Sequence, residues 1–301
     1  QRIVTELTSW SPTGTCRAGP DIVRLEITTR RVGSGARGGW LGSDGPGGAA
    51  TEFQVDRARA VLEEARALWP DAAVSFEGRG DPLLHPRWRE IIGSAPVPGT
   101  LALHVRTDLG EGTEIGPLLE ILGRDARGVL SVDLLATTPR SYTMIAGHDG
   151  FSAAVENTRR VIEARGMGAG LPVPWIVPRI TRCDTVYGEI ENFYDFWLMT
   201  AGAAAIDPLP RSVRGDRIAP LPLPESARAR IRRTEIFVRA DGTIATDLAN
   251  PWASEGTGTA PGDGGLGAVW ERQAVAVLKK DLMTTGRVTE SSPVESLQRV
   301  G

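Results

Sequence analysis

Cysteine is almost missing: Cys16 and Cys183 are the only two in 301 residues, and no pair has CxxC spacing. That excludes a zinc ribbon and a redox dithiol, and each thiol reads as a free, buried or semi-buried group in a reducing compartment. Lysine is scarcer than a chain of this size leads one to expect, with Lys279 and Lys280 the only two, so arginine carries nearly all the positive charge. The arginines are scattered and matched by acids at a net charge of −3, which leaves no basic stripe for nucleic acid. The three histidines, His85, His104 and His148, lack HxxxH spacing. No apolar run reaches the ~20 residues of a membrane span, and no basic-then-apolar leader precedes the first strand. The expectation is a soluble, cytoplasmic protein without a signal peptide; a start at Gln1 leaves open whether the reading frame begins upstream.

What is present is an ordinary globular balance of 41% apolar and 24% charged residues, long enough for one α/β barrel or two small domains. Residues 22–29 (IVRLEITT) alternate in the manner of a strand, and a glycine-rich loop follows over 33–48. From Phe53 to Leu68, Phe53, Val55, Ala58, Val61, Leu62, Ala65 and Leu68 recur at helical spacing, which predicts an amphipathic helix. Strands at 73–77, 101–105, 129–132, 173–180 and 204–206 then alternate with helices at 88–92, 115–122, 150–165 and 189–200. Such alternation predicts βαβ units on a parallel sheet, and about six units suit a curved, partial barrel better than a closed eight-fold one. After Asp207 the prolines 208, 210, 220, 222 and 224 mark a linker. Runs at 234–239 and 243–246 flank Asp241-Gly242 as a hairpin, a helix spans 268–282, and a polar tail closes the chain.

In this order the pieces resemble the radical S-adenosylmethionine (SAM) superfamily with a SPASM or twitch extension. Residues 74–86 (VSFEGRGDPLLHP) look like the second strand and its glycine-rich turn. Val129 to Asp133, then Thr138-Pro139 and Tyr142, look like the fourth strand and its loop. Gly147 to Arg165 is similar to the helix after it, and the hairpin around Asp241-Gly242 with Leu266-Gly267 and Val269-Trp270 is similar to the extension. The resemblance implies an α/β fold, a partial (β/α)6 TIM-like barrel over 20–207. It also implies a Pro-rich linker over 208–230, a hairpin-plus-helix extension over 231–284 and a tail over 285–301. SAM-site-equivalent positions become Gly78, Arg79, Gly80, Asp81, Ser131 and Asp133.

The sequence departs from that family where three cysteines of CxxxCxxC hold a [4Fe–4S] cluster: Arg31, Gly35 and Gly38 stand at the spacing. Asp247 occupies the extension's cysteine position, so auxiliary clusters are not expected either. Neither guanidinium nor glycine ligates iron. Arg79 replaces a glycine of the SAM turn and is expected to crowd it. The cofactor expectation is therefore none, with no [4Fe–4S] cluster and only weak, cluster-free SAM binding.

If strand ends face one mouth, it collects Arg30, Arg31, Glu77, Arg79, Asp81, Arg106, Asp108, Ser131, Asp133, Arg179, Arg182 and Asp207. One reading is a pocket for an anionic or zwitterionic ligand clamped by Arg106 and Arg179, with Arg79 a third candidate. The other, preferred, reading pairs these charges with one another across the mouth. A metal site would need His104, Asp133 and Glu77 to converge. Cys183 has no identified base, and there is no GxSxG elbow. Trp175, Trp197 and Trp270 read as core. The function expected is a degenerate radical SAM/SPASM-like binding or scaffold protein, partner to an active radical SAM enzyme or a precursor peptide. The alternative is an enzyme using the charged mouth on a small ligand.

Overall fold

The computed structural model describes residues 19–32, 50–95, 102–124, 128–167, 174–209, 217–222, 235–244 and 265–271. Among these, seven strands form one sheet: β1 (Ile22–Leu25), β2 (Ala73–Phe76), β3 (Leu103–Thr107), β4 (Val129–Leu135), β5 (Trp175–Arg182), β6 (Ala205–Pro208) and β7 (Glu235–Val238). Their spatial order is β6-β5-β4-β3-β2-β1-β7, and every pairing is parallel. The sheet curls into a half-barrel, as the alternation of strands and helices predicts.

Helices cover its outer face: α1 (Val55–Leu68), α2 (Trp88–Gly93), α3 (Ile115–Leu122), α4 (Pro139–Ala146), α5 (Phe151–Met167) and α6 (Ile190–Ala201). Val23, Leu25, Val74, Phe76, Leu103, Val105, Leu130, Val132, Ile176 and Ile180 alternate along their strands and are buried. Each such side chain contributes about 1.5–3 kcal/mol of burial, so this layer fixes which face of β1 to β5 is interior.

Two elements differ from expectation. Residues 138–142, read as the loop after the fourth strand, open helix α4. The Thr138 side chain accepts from the Ser141 N–H, Pro139 stands at the first turn, and Gly147 (φ 82°) ends the helix. The first run of the expected C-terminal hairpin is not confined to an appendage, because β7 lies parallel to β1 as the seventh strand of the main sheet. The turn after it is present. Gly242, at φ 81°, lets the chain reverse so that Val238 bridges Ile244 and the Arg239 N–H donates to the Thr243 carbonyl. The helical residues 265–271 pack back on α1, with Trp270 edge-on to Trp69 at 6.0 Å and the Leu266 N–H donating to Glu64.

Beyond β1, Thr28 bridges Glu52 antiparallel and Phe53 N–H donates to the Ile27 carbonyl, which clasps the two ends of the glycine-rich segment together. No helix among the described residues is long and apolar enough to cross a membrane.

Candidate functional site

An ordinary barrel fills its interior with layers of Val, Ile and Leu. Here the inward positions are polar almost from the base upward: Arg24 on β1, Ser75 on β2, His104 and Arg106 on β3, Ser131 and Asp133 on β4, and Arg179 on β5. The registers Arg24↔Ser75, Ser75↔His104, Arg106↔Ser131 and Asp133↔Arg179 place them side by side. So much charge is tolerated in a buried wall only because each group meets a partner.

The partners form connected sets. Arg106 donates from Nε to Asp133 at 2.9 Å and from Nη2 to Asp207 at 2.6 Å, and Arg179 donates from Nε to the same Asp207 at 2.8 Å. Arg24 pairs with Glu235 at 2.7 Å and lies 3.4 Å from Glu77. At the level below the mouth His104 bridges two hydroxyls, with Ser75 Oγ 2.7 Å from Nδ1 and Ser131 Oγ 2.9 Å from Nε2. Ser75 in turn donates to Glu77 at 2.9 Å. Burial, and behind it the nearby guanidinium groups, push the His104 pKa down to about 3, so the ring is neutral.

The turn after β2 is pressed against the end of β1. A side chain at Gly78 would strike the Glu26 side chain, and one at Gly80 would come 2.6 Å from the Arg30 carbonyl oxygen and closer still to that of Thr28. Gly80→Ala is therefore expected to force the backbone apart and cost about 2–3 kcal/mol in urea unfolding, whereas an alanine at the open Gly116 should change the midpoint little. Asp81 closes the turn. Its carboxylate accepts from the Leu83 N–H, the Thr107 hydroxyl and the Asp108 N–H. Burial and the neighbouring Asp108 nonetheless hold its pKa above the usual range.

Arg79 does not crowd this turn as the sequence suggests. Its guanidinium folds back on the fully buried Glu26, donating from Nε at 3.1 Å and Nη2 at 2.8 Å, while its backbone N–H donates to the same carboxylate at 2.6 Å. Arg31, which stands at the first cysteine spacing, is described as well. It crosses the turn to the Arg79 carbonyl at 2.9 Å and to Asp108 at 2.5 Å. Gly35, Gly38, Cys16 and Asp247 lie outside the described residues.

The eight expected site residues thus share one wall: Gly78, Arg79, Gly80 and Asp81 on the turn after β2, Ser131 and Asp133 on β4, Arg106 between Asp133 and Asp207, and Arg179 on Asp207. Arg30 stands apart, exposed and paired with Glu52. His104, Asp133 and Glu77 do not converge on an ion, because both ring nitrogens already hold serines; among the described residues no cluster could hold a metal. Cys183 is buried beyond β5 with its thiol pKa raised by burial, and His85 is a packing residue between the Phe53 carbonyl and the Arg87 N–H.

Sequence reading missed Arg24, Glu26, Ser75 and Asn157. The first two were visible as the charged alternates within IVRLEITT. Asn157 acts on the backbone: its Nδ2 donates to the Leu109 and Gly110 carbonyls, holding Leu109 at φ 49° just beyond β3. Leu135, at φ 62°, is likewise left-handed at the end of β4. Two strained non-glycine residues at adjacent strand ends are a feature of mouths that position ligands.

No protein-family model and no curated protein matches the chain. Among solved structures, SuiB of Streptococcus suis bound to S-adenosylmethionine superposes with a TM-score of 0.64 at 10% identity, over 84% of this chain and 66% of SuiB. SuiB bound to the precursor peptide SuiA superposes with a TM-score of 0.59, also at 10% identity, over 84% of this chain and 65% of SuiB. The chain spans just under two thirds of SuiB's length. These neighbours correct the cofactor expectation of none, with no [4Fe–4S] cluster and weak SAM binding at most. The shared fold is one solved around SAM, and Arg79 is drawn aside onto Glu26 instead of obstructing the turn.

Proposed function

We propose that this chain, whose fold is radical SAM-like, is a binding protein that takes a zwitterionic ligand of the SAM class in its half-barrel mouth and serves an active radical SAM enzyme or a precursor peptide as partner. The observation that carries the reading is the inner wall, polar from Arg24 to Asp207 while the opposite face of the same strands is apolar. A ligand carboxylate would exchange into the Arg106 and Arg179 pairs now made with Asp133 and Asp207. A ligand ammonium would find Asp133 and the carbonyls of the Gly78–Asp81 turn. SuiB lends support, having been solved both with SAM and with its precursor peptide. In this reading 231–284 remains a SPASM- or twitch-like extension whose turn and helical segment brace β1 and α1. SAM, when bound, supplies the sulfonium and amino-acid group; the protein orients it and screens it from water.

Calorimetric titration of SAM into the full chain tests the mouth. Saturable binding is expected, weakened at least about tenfold by Asp133→Asn, since a charged hydrogen bond is worth roughly 1.5–3 kcal/mol. Wild-type protein without a binding heat sinks that half. Anaerobic incubation with iron, sulfide and SAM tests the other: cleavage of SAM by the chain alone would make it an enzyme in its own right.

A further inference from the structure

Helix α6 is apolar where a surface helix is ordinarily polar. Phe193, Trp197 and Ala201 turn inward at i, i+4 and i+8 and are buried. On the outward side Phe196 is 51% exposed, Leu198 40% and Met199 86%, and Tyr187 just before the helix is 69% exposed. Large exposed apolar side chains cluster here and are sparse elsewhere among the described residues, the pattern of an interaction surface. Beside this face, between α5 and α6, opens a cavity of about 380 Å³ walled by Leu134, Phe151, Val155, Phe196 and Trp197, with Arg159 as its one charged group.

Charge narrows the occupant. From 183 to 210 the sequence has no Lys, Arg or His, while Asp184, Glu191 and Asp195 are exposed there. Glu189 is engaged by the Thr137 and Ser141 hydroxyls. A second copy packed face to face would set these acids against themselves, which opposes self-association.

We propose that the α6 face docks an amphipathic helix of a partner protein, apolar on one side and flanked by Lys or Arg, with one large apolar side chain seated in the 380 Å³ cavity. This names the surface for the partner half of the proposed function and rests on that half alone.

The probes are three fluorescent synthetic helices of about 18 residues, five turns, sharing one Leu/Phe stripe and flanked by Lys, Gln or Glu. Anisotropy with the full chain should give tightest binding to the Lys-flanked helix, by about tenfold over the Glu-flanked one, and Glu191→Lys with Asp195→Lys should reverse that order. Met199→Glu, at the most exposed of these positions, should weaken it about tenfold without lowering the melting temperature, and Phe196→Glu should weaken it at least as much. Equal binding of the three helices, no binding, or indifference to these variants overturns the proposal. So does a dimer in sedimentation that Met199→Glu dissociates. SAM titration on the same variants separates the two readings: charge-selective helix binding without SAM binding supports the docking face and removes only the mouth.

Discussion

Acidification from pH 7 to 4 should unfold this protein more easily, and His104→Gln should lose much of that sensitivity. Ser75 Oγ gives its proton to Glu77, so His104 Nδ1–H donates to Ser75 and Nε2 accepts from Ser131. The neutral ring is satisfied on both sides, while burial and Arg179, Arg106 and Arg24 oppose a second proton and bring its pKa to about 3. An unfolded histidine titrates near 6.5, so between the two values the unfolded chain binds more protons, and stability is complete above pH 6.5 and lost as pH falls through the window. Each pH unit within the window is worth about 1.4 kcal/mol, so between pH 7 and 4 the native protein should lose on the order of 3 kcal/mol more than the variant. Asp81 works the other way: its raised pKa adds stability at low pH that is lost as pH rises, but it is common to both proteins and cancels in the difference. Urea midpoints measured at half-unit steps of pH would decide it; parallel curves for the two proteins would refute the assignment.

The helices that position the mouth were legible because apolar spacing is dictated by the core they cover. Helix α3 falls at 115–122 as read, and α1, α5 and α6 lie within two residues of expectation. Strand ends were less so. β4 runs on to Leu135 and β5 to Arg182 because ladder bonds from their neighbours carry them past the apolar run that announced them. Helix α4 escaped for a different reason: its signal is Thr138-Pro139 at one end and Gly147 at the other, and its apolar residues are too few for periodicity to show. The charged mouth could be read from strand ends, where Arg106 meets Asp133 and Asp207, and Arg31 meets Asp108. The partner of Arg79 could not, since Glu26 lies 53 residues away and meets it only once β1 and β2 pair. The interior charge was hidden for the same reason, because Arg24 and Glu26 face inward only when the helices have claimed the other side of β1.

That buried carboxylate is where a single substitution should do most damage. Glu26 is 1% exposed and accepts from the Arg79 backbone and guanidinium and from the Ala240 N–H, so it ties β1, the turn after β2 and the turn after β7 to one another. Glu26→Gln keeps the size but offers one acceptor oxygen, leaving Arg79 without its counter-charge. Glu26→Leu removes every acceptor at once. Breaking a buried pair from one side costs about 3–5 kcal/mol, far more than breaking an exposed pair such as Arg87–Glu90. The expected result is therefore a fall of that larger size in urea stability for Glu26→Leu, somewhat less for Glu26→Gln, and little for Glu90→Gln. Adding Arg79→Met to Glu26→Leu should recover part of the loss, because the stranded cation goes with its partner. A double variant no more stable than Glu26→Leu would mean that the carboxylate acts through the two backbone N–H groups and not through the guanidinium.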